Sequence, residues 1–130
     1  MRFLLVLTAA AVLGRAESAC PWLNAATAGG ILGGPVTTSV KPGVCEFARG
    51  EAVLRIEVQK KPAVLSAKCE SKATPLRAIG NEAVACNAGT AEMVIGRVRD
   101  ERFLVSLRMV DASAGERVRK VAEQVAGSLF

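Results

Sequence analysis

Two pairs of neighbouring segments alternate apolar and polar residues, and only a few residues separate the members of each pair. The first pair covers residues 44–48 and 52–59, and the second covers residues 91–99 and 102–109. Because successive side chains of a strand point to opposite faces of a sheet, this alternation predicts two antiparallel hairpins. Each hairpin has one apolar face, so the chain must form a sheet that buries this face against a second layer.

The first hairpin is predicted to turn at Arg49-Gly50, with Cys45 opposite Leu54 and Phe47 opposite Ala52. In this register the apolar side chains of both strands share one face, and a slip by one residue would expose all of them. The apolar residues on that face are Cys45, Phe47, Leu54, Ile56 and Val58.

The second hairpin is predicted to turn at Asp100-Glu101, with Arg99 opposite Arg102 and Arg97 opposite Leu104. Its buried face consists of Val94, Gly96, Val98, Phe103, Val105 and Leu107. The other face of the sheet is expected to be open and to mix aliphatic with arginine side chains. The residues of this open face are Val53, Arg55, Met93, Ile95, Arg97, Arg99, Leu104 and Arg108, with Arg102 at the turn.

The remaining segments add two further strands, a loop, and helices before, between and after the hairpins. In chain order they are predicted as a helix at 22–34, a strand at 36–40, a short helix at 63–70, a loop at 71–81 and a strand at 83–86. Asn24 is expected to cap the first helix, whose inward face is predicted as Leu23, Ala26, Thr27, Gly30 and Ile31. The predicted fold class is α+β, with an antiparallel sheet of about five to six strands covered on one face by N-terminal and C-terminal helices.

The C-terminal helix has the clearest pattern in the chain. Ser113 and Glu116 have the S-x-x-E spacing of a capping box. The apolar residues that follow have helical periodicity and are Val118, Val121, Ala122, Val125, Ala126 and Leu129. Because the polar face mixes both charge signs, the pattern favours packing on a sheet over binding to a membrane surface.

The N-terminal segment has the pattern of a secretory signal peptide. Arg2 precedes an uncharged apolar run over residues 3–13, and Gly14 and Ala16 supply the small residues of a cleavage site after Ala16. An eleven-residue helix spans about 16 Å, against about 30 Å for a hydrocarbon core, which disfavours a membrane anchor. A buried strand is the alternative. The predicted organisation is a signal peptide at 1–16 and one α+β domain at 17–130.

Lipid anchoring at Cys20 is the alternative to a free exported protein. A lipoprotein site requires an aliphatic residue three positions before the cysteine, and that position holds Glu17. We therefore expect an unanchored protein in the periplasm or outside the cell. Without the signal the chain keeps 15 of its 17 basic residues against 12 acidic ones, a net charge of +3. The chain lacks the block of lysines and arginines that would indicate nucleic-acid binding.

The cysteines predict disulfides. Cys20, Cys45, Cys69 and Cys86 all follow the signal, and an even count in an exported chain is typical of disulfide bonds. The gaps of 24, 23 and 16 residues lack the close pairs of a structural zinc site. Four cysteines can form disulfides in three different ways. The direction of the chain through the first helix and strands brings Cys20 near Cys45, and this leaves Cys69 to bond with Cys86.

The composition removes several classes of enzyme. The chain has no histidine, so it cannot contain a Ser-His-Asp triad, a Cys-His pair or a histidine metal site. No phosphate-binding or calcium-binding loop motif is present, and we predict neither a metal site nor a cofactor. The function predicted is that of an exported, non-enzymatic binding or assembly module. The alternatives are a small enzyme that uses carboxylate, serine and arginine side chains, with Glu82 as its best carboxylate, and a carrier of a small apolar ligand between sheet and helix.

An acidic partner protein, or a second copy of the chain, is the predicted partner. Aliphatic side chains interleaved with arginines are common at partner surfaces, although arginine stems also cover aliphatic side chains on plain solvated faces. Trp22 is either an anchor for a partner or a lid over the end of the core. The candidate partner-binding residues are Arg55, Arg97, Arg99, Arg102, Leu104, Arg108 and Trp22.

The order of elements resembles small exported bacterial domains of unknown function, including secreted and lipoprotein modules with a PsbP-like layout. The motifs that carry the resemblance span most of the mature chain and are Cys20-x-x-Leu23, Leu32-Gly33-Gly34, Cys45-Glu46-Phe47, the segment Ile79-Gly80-Asn81-Glu82-Ala83 and the closing helix. The resemblance implies an exported α+β domain and transfers no catalytic residue. Lipoprotein relatives have an aliphatic residue at the position of Glu17, so the resemblance does not extend to a lipid anchor.

Overall fold

The computed structural model describes residues 19–70 and 72–130. The predicted signal peptide and its cleavage site lie outside these residues. The elements in chain order are α1 (Ala25–Leu32), β1 (Thr37–Lys41), β2 (Val44–Arg49), β3 (Ala52–Lys60), β4 (Thr74–Leu76), β5 (Glu82–Ala88), β6 (Ala91–Val98), β7 (Glu101–Arg108) and α2 (Ala114–Ser128). Within the described part of the chain, no helix is long and apolar enough to cross a membrane.

The strands form one antiparallel sheet, which confirms the α+β fold class. The sheet has seven strands in the order β1-β2-β3-β7-β6-β5-β4, against the five to six predicted. Strand β7 lies at the centre, between β3 and β6. Both helices pack on the same face, α1 over β2 and β3 and α2 over β6 and β7. We call this the helix face and the other the second face.

The helix face carries the main core, with the residues that the two hairpins predicted. Phe47, Leu54 and Ile56 are fully buried under α1, and Val105 and Leu107 are fully buried on β7. A buried side chain of this size contributes about 1.5–3 kcal/mol relative to an exposed one. The core therefore supplies most of the driving force for folding.

Helix α1 is capped as predicted but turns a different face inward. The Asn24 side chain accepts a hydrogen bond from the Thr27 backbone N–H at 2.7 Å, and Gly33 ends the helix in a left-handed conformation. The buried residues are Ala28 and Leu32, whereas the predicted Ala26 and Gly30 are exposed. The helix is only eight residues long and has weak apolar periodicity, so its contacts with β2 and β3 decide which side is covered.

Helix α2 buries the predicted stripe, but its predicted capping box is absent. The buried residues are Ala114, Val118, Val121, Ala122, Val125 and Ala126. Ser113 stands at the N-cap position, yet its hydroxyl donates to Asp111 and accepts from Arg117 instead of capping the helix. A charged partner on each side competes successfully for the hydroxyl, because hydrogen bonds to charged groups are the stronger ones.

Both predicted hairpin registers are wrong by two residues. Phe47 pairs with Leu54 and not Ala52, around a two-residue loop at Gly50-Glu51. In the second hairpin Arg97 pairs with Arg102, around a loop at Arg99-Asp100. Since a shift by two preserves the face of every side chain, the buried set is correct although the pairs are not.

The predicted helix at 63–70 is also absent. This segment contains no helix and no strand, and we call residues 61–70 the strap because they cross the second face of the sheet. Ser66 donates its backbone N–H at 3.0 Å and its hydroxyl to the carboxylate of Glu57, a buried residue of β3. A short helix is marginal without packing of its own, and these contacts to the sheet replace it.

The loop predicted at 71–81 contains the extra strand. Residues of β4 pair with β5, with Thr74 opposite Ala85 and Leu76 opposite Ala83. Three residues that include Pro75 have no alternating pattern, so the sequence did not indicate a strand. Proline is tolerated because β4 is an edge strand and has no neighbour on its outer side.

The structure has both predicted disulfides. Cys20 and Cys45 are bonded with their Cα atoms 5.9 Å apart, and Cys69 and Cys86 with theirs 5.7 Å apart. The first bond ties the segment before α1 to the helix face of β2. The second ties the strap to the second face of β5, opposite Met93.

Candidate binding surface

Three arginines lie together at one end of the second face. Arg97 on β6 and Arg102 on β7 are directly opposite one another, and Arg99 lies in the two-residue loop that joins these strands. We call these three residues the arginine tip. Cross-strand neighbours extend the same row of the second face, which reads Gln59, Arg102, Arg97 and Glu82 across four strands.

Arg97 holds the tip in place. Its Nε donates to Glu82 at 3.0 Å, and its Nη1 donates to the backbone carbonyl of Arg99 at 2.8 Å. Asn81 closes the other side of the loop, because its side-chain oxygen accepts from the Arg99 backbone N–H at 2.7 Å. Arg97 is therefore a positioning residue, half-buried and already neutralised by Glu82.

Arg99 occupies a backbone conformation that arginine rarely adopts. Its φ is +57°, in the left-handed region that glycine or asparagine reaches more easily. Such a conformation costs on the order of 1–3 kcal/mol and persists only where its surroundings impose it. The contacts from Arg97 and Asn81 impose it here, and they leave the exposed Arg99 side chain directed by a rigid loop.

Arg102 is exposed and has no ion-pair partner among residues 19–70 and 72–130. Its neighbours in the sheet are the amide Gln59 on one side and the cation Arg97 on the other. Two exposed lysines, Lys60 and Lys61, follow Gln59 in the chain. Like charges directly opposite one another destabilise a sheet. Arg97 is paired with Glu82 and Asp100 shares the loop with Arg99, so the charge that lacks an ion pair within the described residues is that of Arg102 and of the Arg99 side chain.

The second face is not open along its whole length, contrary to the prediction. Met93 and Leu104 are buried, each with 2% of its surface exposed, and they form a small second cluster with Cys86. Leu65 and Cys69 of the strap pack against this cluster. Leu104 is therefore part of a core and is not accessible to a partner.

The other candidate arginines do not join the tip. Arg55 forms an ion pair with Glu46 at 3.2 Å, in the middle of the second face. Arg108 lies at the opposite end of β7 from Arg102, which is about 20 Å along a strand. The seven candidates thus fall into separate places, and only Arg97, Arg99 and Arg102 form one surface.

Trp22 is half-buried and packs against the main core beside Val40. This position fits a lid over the β1 end of the core. Trp22 also lines a shallow groove with Pro21 and Pro42, at the turn between β1 and β2, and it is not part of the arginine tip.

The sequence interpretation missed two polar contacts that hold the molecule together. One is the Glu57–Ser66 contact of the strap, and the other is a pair of arginines at the end of α1. Arg117 Nη1 donates to the Ile31 carbonyl at 2.6 Å, and Arg49 Nη1 donates to the Leu32 carbonyl at 3.4 Å. Glu57 alternates with the apolar residues of β3 just as Arg55 and Gln59 do, so nothing in the sequence set it apart as the partner of Ser66. No local pattern indicates the second, because Ile31 and Arg117 are 86 residues apart.

Comparison with known proteins adds no relative. No protein-family model, no curated protein and no solved structure matches this chain. The resemblance to small exported domains with a PsbP-like layout stays a prediction from the motifs.

Proposed function

We propose that this protein is an exported, non-enzymatic binding module whose arginine tip binds an acidic surface of a partner protein. The observation that carries the proposal is the exposed, unpaired cation of Arg102, placed opposite Arg97 and next to the strained loop of Arg99. Each of these features costs stability in the isolated domain. A carboxylate-bearing partner would offset that cost, because arginine forms bidentate hydrogen bonds with carboxylates.

The residues beside the tip favour a protein as the partner. Ile95 and Val84, opposite one another on β6 and β5, lie in the next row of the second face and are only half-buried. A surface that mixes aliphatic and arginine side chains is typical of the centre and rim of protein interfaces. The tip is the exposed end of a hairpin, which suits contact with a second surface better than it suits a small ligand.

The two disulfides support the exported location in this proposal. Disulfides persist in oxidising compartments and are rare in the reducing cytosol. The bonded pairs join Cys20 to Cys45 and Cys69 to Cys86. The partner would therefore be a periplasmic or extracellular protein.

The test reverses the charge of the tip without touching its positioning residue. The variant is Arg99→Glu with Arg102→Glu, and Arg97 is left unchanged because its contact with Glu82 supports the fold. A photo-crosslinking amino acid that replaces Gln59, beside the tip, captures the bound partner in cells that make the protein. The captured partner is then identified and purified for binding measurements. We expect the double variant to weaken binding at least tenfold, and we expect wild-type binding to fall as salt screens the charges.

The matched control is Arg119→Glu with Lys120→Glu. These two residues lie on the exposed side of α2, and their reversal changes the net charge by the same amount. Each forms an exposed i,i+4 ion pair, with Glu123 and Glu116, of the kind that contributes only about 0.3–0.5 kcal/mol. The control variant should bind as the wild type does. Equal loss of binding in both variants, or none in the tip variant, would rule out the tip as the binding surface. The crosslink could instead capture a second copy of this chain, and the wild type could have a dimeric mass that the tip variant loses. That result would show that the tip mediates self-association and does not bind an acidic partner.

A further inference from the structure

An open cleft lies at the other end of the sheet from the arginine tip. Its volume is about 680 Å³, and its walls come from the loop between β2 and β3, the loop between β5 and β6, and the segment between β7 and α2. The space between the sheet and the helices is filled by buried side chains such as Phe47 and Phe103. The cleft is therefore separate from the interior in which a carrier would hold a ligand.

The walls of the cleft are mainly aliphatic. Leu32, Val53 and Met109 line it, and Val110 stands at its side with its whole side chain exposed (106%). A valine in full contact with water buries none of its apolar surface in the isolated domain. A ligand chain that covered it would gain about 25 cal/mol for each Å² of apolar surface removed from water.

Positive charge dominates the polar part of the cleft. Arg49 and Arg108 line it, and Glu51 is the one carboxylate among its lining residues. The two arginines start from opposite faces of the sheet, Arg49 from the helix face and Arg108 from the second face. Both reach the cleft because it lies beyond the ends of β2 and β7.

Arg49 is held in position before any ligand arrives. Its guanidinium lies against the backbone of Gly34, where an added Cβ would come within 2.5 Å of Nε, and Nη1 donates to the Leu32 carbonyl at 3.4 Å. Arg108 is exposed and has no hydrogen bond or ion pair within the described ranges 19–70 and 72–130. The cleft thus offers one fixed and one free guanidinium.

We propose that this cleft binds a single-chain amphiphile with an anionic head group, a carboxylate or a phosphate. The head group contacts Arg108 and Arg49, and the chain covers Val53, Met109 and Val110. The volume lies within the range of about 300–1,000 Å³ that is usual for small-molecule sites. Both head groups accept two parallel hydrogen bonds from one guanidinium, which a neutral or cationic head group cannot do. The proposal does not depend on the function of the arginine tip.

The probes share one chain length and differ in the head group. They are decanoate, decyl phosphate, decanol and decyltrimethylammonium. The ionic probes are titrated below their micelle concentrations, and decanol below its solubility limit, into the protein without its predicted signal peptide. Titration calorimetry measures affinity, and NMR locates the site through the methyl signals of Val53 and Val110. Decanoate or decyl phosphate should bind with shifts at both valines, and the tighter of the two identifies the head group. Decanol should bind at least tenfold more weakly, the factor that 1.4 kcal/mol represents.

Three variants keep the assignment specific. Arg108→Gln should weaken anion binding about tenfold, and Glu51→Gln should strengthen it, because the nearest negative charge is removed. Arg102→Gln, at the other end of β7, should change nothing, and this separates the cleft from the proposed function of the tip. Equal binding of decanol and decanoate, shifts away from the two valines, or unchanged affinity in Arg108→Gln would overturn the proposal.

Discussion

Gly96 shows how a single missing side chain sets the packing of the core. It lies on the helix face of β6, opposite Phe103 on β7. The ring of Phe103 occupies the space where a Cβ of residue 96 would stand, and the carbonyl oxygen of Glu82 would lie only 2.9 Å from that Cβ. The glycine is required for close approach, because its neighbours include a backbone atom that cannot move aside cheaply.

We therefore expect Gly96→Ala to destabilise the protein. Overpacking of a well-packed core costs about 1–3 kcal/mol, and the blocked backbone places this variant at the upper end. Chemical denaturation monitored by circular dichroism measures the free energy of unfolding. Gly30→Ala is the matched control, since an added Cβ there meets nothing within 4 Å and improves helix propensity. A Gly96→Ala variant as stable as the wild type would show that Phe103 can move.

At the scale of elements, the strap is held to the sheet by side-chain contacts and one disulfide and belongs to no helix or strand. Among its contacts with the second face are the Glu57–Ser66 contact, the Cys69–Cys86 bond and the packing of Leu65. At its start, the Lys61 backbone N–H donates to the Asp100 carbonyl at 3.1 Å. Glu70 adds one exposed hydrogen bond, accepting from the Gly89 N–H at 3.0 Å. The strap has no backbone ladder, so the disulfide is its main restraint.

Removal of that disulfide should release the strap before it affects the sheet. The variant is Cys69→Ser with Cys86→Ser, and a loop of this length predicts a loss of roughly 3 kcal/mol. Hydrogen exchange followed by mass spectrometry should rise mainly in residues 61–70, while the strands β6 and β7 stay protected. The control is Cys20→Ser with Cys45→Ser, which should raise exchange around α1 instead. If exchange in the Cys69→Ser, Cys86→Ser variant rises as much in β6 and β7 as in residues 61–70, the strap unfolds together with the core and the prediction is wrong.

At the scale of the whole molecule, Arg117 ties the two ends of the chain together. From α2 it contacts the Asp111 carboxylate at 3.4 Å, the Ser113 hydroxyl at 2.7 Å and the Ile31 carbonyl of α1 at 2.6 Å. A cation at the last carbonyls of a helix is favourable because the helix dipole is negative there. The two helices are thus joined at one corner of the helix face.

This corner predicts a pH dependence of stability. The hydroxyl and the backbone N–H of Ser113 donate to the Asp111 carboxylate, and together with the nearby Arg117 charge they hold the pKa of Asp111 below its usual value. A lowered folded-state pKa contributes stability above the unfolded value of about 3.9, and this contribution disappears as the pH falls through the folded pKa. Asp111→Asn should therefore be less stable than the wild type near neutral pH, and the difference should shrink in acid.

Denaturation of both proteins at about pH 6 and again near pH 2 measures this difference, and an NMR titration of the Asp111 carboxyl follows the pKa directly. Ser113→Ala keeps the carboxylate but removes the hydroxyl donor, so the pKa of Asp111 should rise towards its usual value. A stability difference between Asp111→Asn and the wild type that is the same at both pH values would contradict the assignment.

Much of this architecture could be predicted from local sequence. The strand faces follow from a period of two, so Phe47, Leu54 and Val105 were placed in the core even though both registers were off by two residues. The pairing of Cys20 with Cys45 followed from chain direction. The candidate surface was predicted only in part, because Arg97, Arg99 and Arg102 lie together whereas Leu104 and Arg108 do not join them.

Periodicity was enough to predict the α+β class, the faces of the two hairpins and the inward stripe of α2, and the direction of the chain was enough to pair Cys20 with Cys45. Cys69 was assigned to Cys86 only because no other cysteine remained. Tertiary structure alone decided what depends on contacts between distant residues. The strap lies against the second face because Ser66 contacts Glu57 and Cys69 is bonded to Cys86. The Arg99 loop is positioned by a hydrogen bond to Asn81, 18 residues earlier in the chain. Local patterns cannot encode such contacts, since the free energy that selects them arises only after the sheet has formed.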